Sequence, residues 1–258
     1  MPREVHTVAL RAADGVRLAA DLWPTATAAP SAVVVAHGFG AHRRDPAVLA
    51  MAHELRAAGH AVVTYDMRGH GASGGLCTLG DLERHDVAAA AAAARDLAPR
   101  VVLVGASLGA IAVLRHAVDD ADLAGVVTVS SPARWRVRSP RAAVAALLTR
   151  TGAGRRLARR LGVRLDATWR WPEPPDRLAA RLAVPLAVVH GTGDRFMPES
   201  EARVLHAAGS GAGGGHGAAR RLDVVPEMGH AFCPRGFDAV TAAVDWCLAS
   251  SPAIAQPA

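Results

Sequence analysis

Polarity along the chain alternates between short apolar runs and longer amphipathic stretches. The runs at 32–36 (AVVVA), 61–65 (AVVTY), 101–105 (VVLVG), 125–129 (GVVTV) and 186–190 (LAVVH) are rich in Val and continuous rather than alternating. That pattern predicts strands buried on both faces. Segments 46–58, 81–98 and 108–118 carry Ala and Leu at helical spacing, so the repeating unit is strand then helix. An α/β fold follows, with a mostly parallel central sheet flanked by helices. Two earlier segments, 4–10 and 16–22, are separated by AADG and predict an antiparallel hairpin at the sheet edge.

The alternation stops after Val129 and resumes at Leu186. This divides the chain into a core of residues 1–132 and 182–250 and a helical insertion at 133–181 that carries Trp135, Trp169 and Trp171. The stretch GSGAGGGHGA at 209–218 predicts a flexible loop, and the tail 251–258 is expected to fray.

A length of 258 residues suits one large domain. Although 51% of residues are hydrophobic, no run approaches the ~18 apolar residues of a membrane span. The opening MPREVHTVAL lacks the apolar centre of a signal peptide, so a soluble, cytoplasmic protein is expected. Three cysteines without C-x-x-C spacing support neither a disulfide framework nor a zinc site. All 29 basic residues are Arg, and the net charge of +6 is unevenly placed. Between Arg134 and Arg181 there are 13 Arg against Asp166, Glu173 and Asp176, a local charge of +10 that leaves −4 for the rest. An excess confined to one insertion argues against a nucleic-acid partner.

Chemistry concentrates at the ends of the apolar runs. Gly105-Ala106-Ser107-Leu108-Gly109 lies between a predicted strand and a predicted helix. Its glycines permit a turn tight enough to expose the Ser hydroxyl, and the helix beginning there directs N–H groups at its neighbour. A Ser hydroxyl needs a base, and the base needs an orienting carboxylate. Asp194 follows the run 186–190, and His230 follows RLDVV at 221–225, so each falls just beyond a strand's carboxyl end. Asp223 and Glu227 are the alternative acids. Asp66 and Arg68 are read as holding their own loop together, and His37 as bracing its loop.

Five motifs in this order, His37-Gly38-Phe39-Gly40, YDMRGHGASGG at 65–75, the Ser107 turn, HGTGDRFMP at 190–198 and MGHAF at 228–232, resemble the α/β-hydrolase fold superfamily. The serine esterase and monoacylglycerol-lipase-like branch is the most similar. The resemblance covers essentially the whole chain and places 133–181 where the family carries its variable cap. It implies Ser107 as nucleophile, His230 as general base and acid, and Asp194 as the residue orienting His230. It also implies an oxyanion hole from the backbone N–H groups of Phe39 and Leu108. Trp135, Trp169 and Trp171 are candidate substrate-binding residues of the cap. No metal or organic cofactor is required by this chemistry.

A Ser at the elbow argues against haloalkane dehalogenases and epoxide hydrolases, which resemble this fold but carry Asp there. The Arg-rich cap disfavours the cationic amine end bound by peptidases. The expected partner is a small-molecule acyl ester of short to medium chain. Two alternatives stay open: an acyl-CoA or phosphopantetheine thioesterase, whose phosphates the arginines from Arg134 to Arg160 would bind, and a non-catalytic binding scaffold. Val144, Leu147, Leu148, Leu157 and Leu161 further suggest an apolar face through which the basic cap could touch a membrane.

Overall fold

The structure, a computed structural model, describes residues 4–135, 150–208 and 218–251. Eight strands form one sheet in the order β1-β2-β4-β3-β5-β6-β7-β8. They are β1 His6–Arg11, β2 Arg17–Trp23, β3 Ser31–Ala36, β4 Ala61–Tyr65, β5 Arg100–Ala106, β6 Gly125–Val129, β7 Leu186–Gly191 and β8 Arg220–Val225. β1 pairs antiparallel with β2, and β2 with β4, so the predicted hairpin sits at the edge. Every other pairing is parallel. The hairpin closes through Ala12–Val16 hydrogen bonds, with Gly15 supplying the positive φ of the turn.

The helices are α1 Pro46–Ala57, α2 Glu83–Arg95, α3 Leu108–Ala117, α4 Gly152–Arg160, α5 Pro175–Ala180, α6 Glu199–Ala207 and α7 Phe237–Ser250. Strands β3, β4, β6 and β7 are buried at every position. Their residues alternate between two cores, as a pleated sheet requires. Ala32, Val34 and Ala36 face one layer with α2, α3, α5 and α6, while Val33 and Val35 face the other with α1 and α7. A continuous apolar run is what a strand covered on both faces needs. Local signals set the helix ends, as in α1, where Asp45 accepts a hydrogen bond from Ala47 N–H and Pro46 occupies the first turn.

The segment after β6 is tied to the core at several points. Leu178 and Ala179 of α5 are buried in the same layer as α3, as are Ala158, Val163 and Leu165. Backbone bonds from Arg164 N–H to Gly69 O, from Cys77 N–H to Arg164 O and from Asp166 N–H to Cys77 O join residues 164–166 to the loop after β4. A side chain at Gly69 would collide with Cys77 and the Arg164 carbonyl, so this junction requires glycine. Val144, Leu147 and Leu148 lie outside the described residues, as do the loop 209–217 and the tail beyond 251. No helix among the described residues is long and apolar enough to cross a membrane.

Candidate active site

Parallel strands deliver their following loops to one edge of the sheet, where ligands bind in open α/β folds. β5 ends at Ala106 and α3 starts at Leu108, which leaves Ser107 alone in the turn with φ 52° and ψ −110°. Crowding explains the flanking glycines. A Cβ at Gly105 would overlap the Gly109 carbonyl, and one at Gly109 would overlap the Ala36 carbonyl at the end of β3. The strained Ser107 backbone is held by Ser107 N–H donating to Val129 O at 2.9 Å.

β7 leads to Asp194 and β8 to His230. The His230 Nδ1–H donates to Asp194 Oδ2 at 2.7 Å, and the Ser107 hydroxyl donates to His230 Nε2 at 3.0 Å. With its Nδ1 proton held by the carboxylate, the imidazole presents Nε2 as an acceptor. Asp194 Oδ1 accepts from the N–H groups of Phe196 and Met197 at 2.8 and 2.9 Å. Its carboxylate is fully buried while the His230 side chain stays 23% exposed. Burial acts to raise the Asp194 carboxyl, but the hydrogen bond and charge of His230 and the two loop N–H groups outweigh it, leaving the group below the usual carboxylate value. The alternative acids face elsewhere: Asp223 pairs with Arg221 and Glu227 with Arg235.

Leu108 is the first residue of α3, where a backbone N–H has no carbonyl one turn earlier to bond. Phe39 follows Gly38, whose Cβ position lies 3.6 Å from the Ser107 Cβ, so the loop after β3 abuts the Ser107 turn. His37 stiffens that loop. Its Nδ1–H donates to Gly38 O at 2.8 Å, and its Nε2 accepts from Met67 N–H at 3.0 Å. Burial, assisted by the neighbouring His70, pushes the His37 imidazole down to about 3. His37 is therefore neutral when folded, while the unfolded chain protonates it below about 6.5. The unfolded state binds the extra proton, so folding stability is fully present above about 6.5 and falls as the pH drops toward 3. The slope of unfolding free energy against pH in this window, from urea titrations, is expected to be steeper than in His37→Asn by about one proton, ~1.4 kcal/mol per pH unit. Equal slopes would contradict the neutral, buried His37.

Asp66 does more than hold its own loop. It accepts from Ala72 N–H but also from Arg43 N–H and Nη1, which binds the loop after β4 to the loop after β3. Arg68 likewise reaches outside its loop, to Asp14 and Asp86. The sequence pattern missed three further residues at the site. Phe196 packs its ring 5.1 Å from that of His230 and is 45% exposed. Ser130 Oγ accepts from Ala231 N–H and fixes the residue after His230, and His190 Nε2–H donates to Met197 O in the Asp194 loop. Trp171 packs against both Trp135 and Trp169 with ring centroids 4.9 Å apart, and the Arg150 guanidinium sits 5.3 Å from the Trp169 ring. Trp135 also packs against the core layer that holds α3 and donates its Nε1–H to Pro172 O. Among the described residues, no group of three or more His, Cys, Asp or Glu side chains is placed to hold a metal ion.

Solved structures with this architecture include an esterase of Pyrococcus furiosus, with TM-score 0.72 and 18% identity over 96% of this chain and 93% of the other. An esterase of Rhodococcus sp. gives 0.66 and 18% over 95% and 99%. A serine hydrolase without a lid from Xanthomonas campestris gives 0.63 and 21% over 98% of both. At these identities the likeness establishes the α/β-hydrolase fold. The family model described as serine aminopeptidase, S33, matches residues 27–177, more than half of the chain, and the chain belongs to that family of α/β hydrolases.

Proposed function

We propose that this protein is a serine carboxylesterase that cleaves short to medium acyl esters through an acyl-enzyme on Ser107. The observation that carries the reading is the continuous hydrogen-bond line from Ser107 through His230 to the buried Asp194. Ser107 Oγ attacks the ester carbonyl as its proton passes to His230 Nε2, forming a C–O bond and a tetrahedral oxyanion. The imidazolium that results is stabilised by Asp194. The backbone N–H groups of Phe39 and Leu108 receive the oxyanion, a type of interaction worth about 3–4 kcal/mol per donor. Collapse breaks the bond to the alkoxide, which takes the proton from His230. Water then repeats the sequence, giving up a proton to His230 and releasing the acid as Ser107 recovers it.

Within this reading, residues 133–181 form a cap on a core of 1–132 and 182–250, and the tryptophan cluster is the cap's apolar element. Phe39 and Phe196, both exposed beside the reacting groups, supply the apolar walls for the acyl chain. The arginine excess of 133–181 disfavours a cationic amine end, which separates this chain from aminopeptidase chemistry. A non-catalytic scaffold has no need of the aligned Ser, His and Asp.

Steady-state hydrolysis of para-nitrophenyl esters of graded acyl length, beside the matching acyl-CoA thioesters, tests the reading with Ser107→Ala as control. Turnover that peaks at short to medium esters and disappears in the control is the expected result. Turnover that survives in the control would overturn the assignment of Ser107.

A further inference from the structure

A cavity of about 260 Å³ opens between the loop after β3 and the segment following α4. Ala41, His42 and Gly71 line it together with Arg159, Leu161 and Arg164. We infer that this cavity binds a phosphate group on the leaving half of the substrate, so that the enzyme's preferred esters or thioesters are phosphate-bearing. The inference rests on the serine hydrolase reading and adds a substrate class to it.

The charges facing the cavity are of one sign and are not consumed elsewhere. Of the described arginines in 133–181, Arg134 pairs with Asp176 and Arg181 with Glu173. Arg159 takes part in no ion pair among the described residues, and the Arg164 guanidinium meets only a neutral partner, the Ser73 carbonyl. The Asp66 carboxylate lies against Gly71 but is already satisfied by Arg43 N–H and Nη1 and by Ala72 N–H. Arg43 is buried in that pair and with Asp21, so it does not compete. Two arginines lining one cavity suit a multi-oxygen anion better than a carboxylate, because a guanidinium fork can take two oxygens. The volume equals about nine water volumes, enough for a phosphate with part of its linker.

Placement ties this cavity to the reaction. Its wall starts at Gly40, one residue after Phe39 in the loop that abuts Ser107. An anion held there lies beside the loop whose Phe39 N–H is proposed to receive the oxyanion. Gly71 is needed where it lies, since any Cβ there would run into the Asp66 carboxylate.

The test uses two matched pairs of substrates with the same acyl group: butyryl-CoA against butyryl-pantetheine, and butyryl-glycerol phosphate against butyryl-glycerol. The proposal expects kcat/KM to favour the phosphate-bearing member by 10-fold or more in at least one pair. That preference should shrink with added salt and be lost in Arg159→Glu, an exposed position at the end of α4. Which pair shows it distinguishes a coenzyme-type phosphate from a lipid-type phosphate. Equal kcat/KM within both pairs overturns the proposal, as does a preference that Arg159→Glu leaves in place. So does failure of wild type to cleave either phosphate-bearing member while it hydrolyses para-nitrophenyl butyrate. If no ester or thioester is cleaved, the hydrolase reading falls, and calorimetric titration with pyrophosphate decides the anion site alone. Binding weakened 10-fold or more in Arg159→Glu upholds it, and no binding by wild type overturns it.

Discussion

Replacing Ser107 by Ala is expected to lower kcat on para-nitrophenyl butyrate by about a million-fold, with His230→Ala nearly as damaging and the double variant no worse than either. The reason is that the two groups act as one device. The 3.0 Å bond lets His230 Nε2 remove the hydroxyl proton as the carbonyl is attacked, so without either partner the other has nothing to do. On the proposed mechanism, what activity remains comes from substrate binding and the two N–H donors of Phe39 and Leu108. Both substitutions shorten a side chain at a partly exposed turn or loop, so circular dichroism should report an unchanged fold. Additive losses, in which the double variant multiplies the two single effects, would show that the residues contribute independently.

The second large effect is expected from Asp194→Asn, a loss of about 10,000-fold in kcat. The geometry explains why a nearly isosteric change is so costly. Oδ1 is pinned by the N–H groups of Phe196 and Met197, so the oxygen that an amide retains must stay on that side. The amide nitrogen then faces His230 Nδ1, where a hydrogen-bond acceptor stood before. The imidazole responds by carrying its proton on Nε2, toward Ser107, and can no longer accept one. Asp194→Ala removes the donor as well as the acceptor and is expected to retain more activity at alkaline pH than Asp194→Asn. Single-turnover kinetics on the three proteins checks this, and an Asp194→Asn enzyme with wild-type turnover would move the orienting role to another group.

Much of this site was legible before any coordinates because its signals are local. The strands β3 to β7 announce themselves as continuous Val-rich runs, since a strand covered on both faces has no polar side to alternate. The Ser107 turn is legible for a similar reason: five consecutive residues contain both glycines that the crossing of β5, α3 and the end of β3 demands. The bond from Ser107 to His230 spans 123 positions, but parallel topology sends every loop after a strand to the same edge. Counting strands was therefore enough to bring the three side chains together.

Other features depend on pairings that no local pattern encodes. Ser107, Ser130, Glu227 and Ala231 all adopt positive φ, yet none is glycine, so sequence alone offers no warning. The reach of Asp66 to Arg43 was hidden because loop-to-loop ion pairs follow from the approach of β3 and β4, not from spacing in the chain. The arginine count of 133–181 gave the size of the charge excess but not which guanidinium groups stay available. The placement of Asp176 and Glu173 shows that Arg134 and Arg181 are occupied, while Arg159 takes part in no ion pair among the described residues. Phe196 carries no signal in the sequence because a single aromatic residue in a polar loop has no periodicity to mark it.

The central claim, that Ser107 is a nucleophile activated by His230, is tested most directly by a fluorophosphonate probe and intact-protein mass spectrometry at neutral pH. The account predicts one adduct per chain, mapped to Ser107, formed rapidly by wild type and at least a thousand-fold more slowly by His230→Ala. An adduct on another residue, no adduct on folded protein, or labelling that ignores His230 would contradict it.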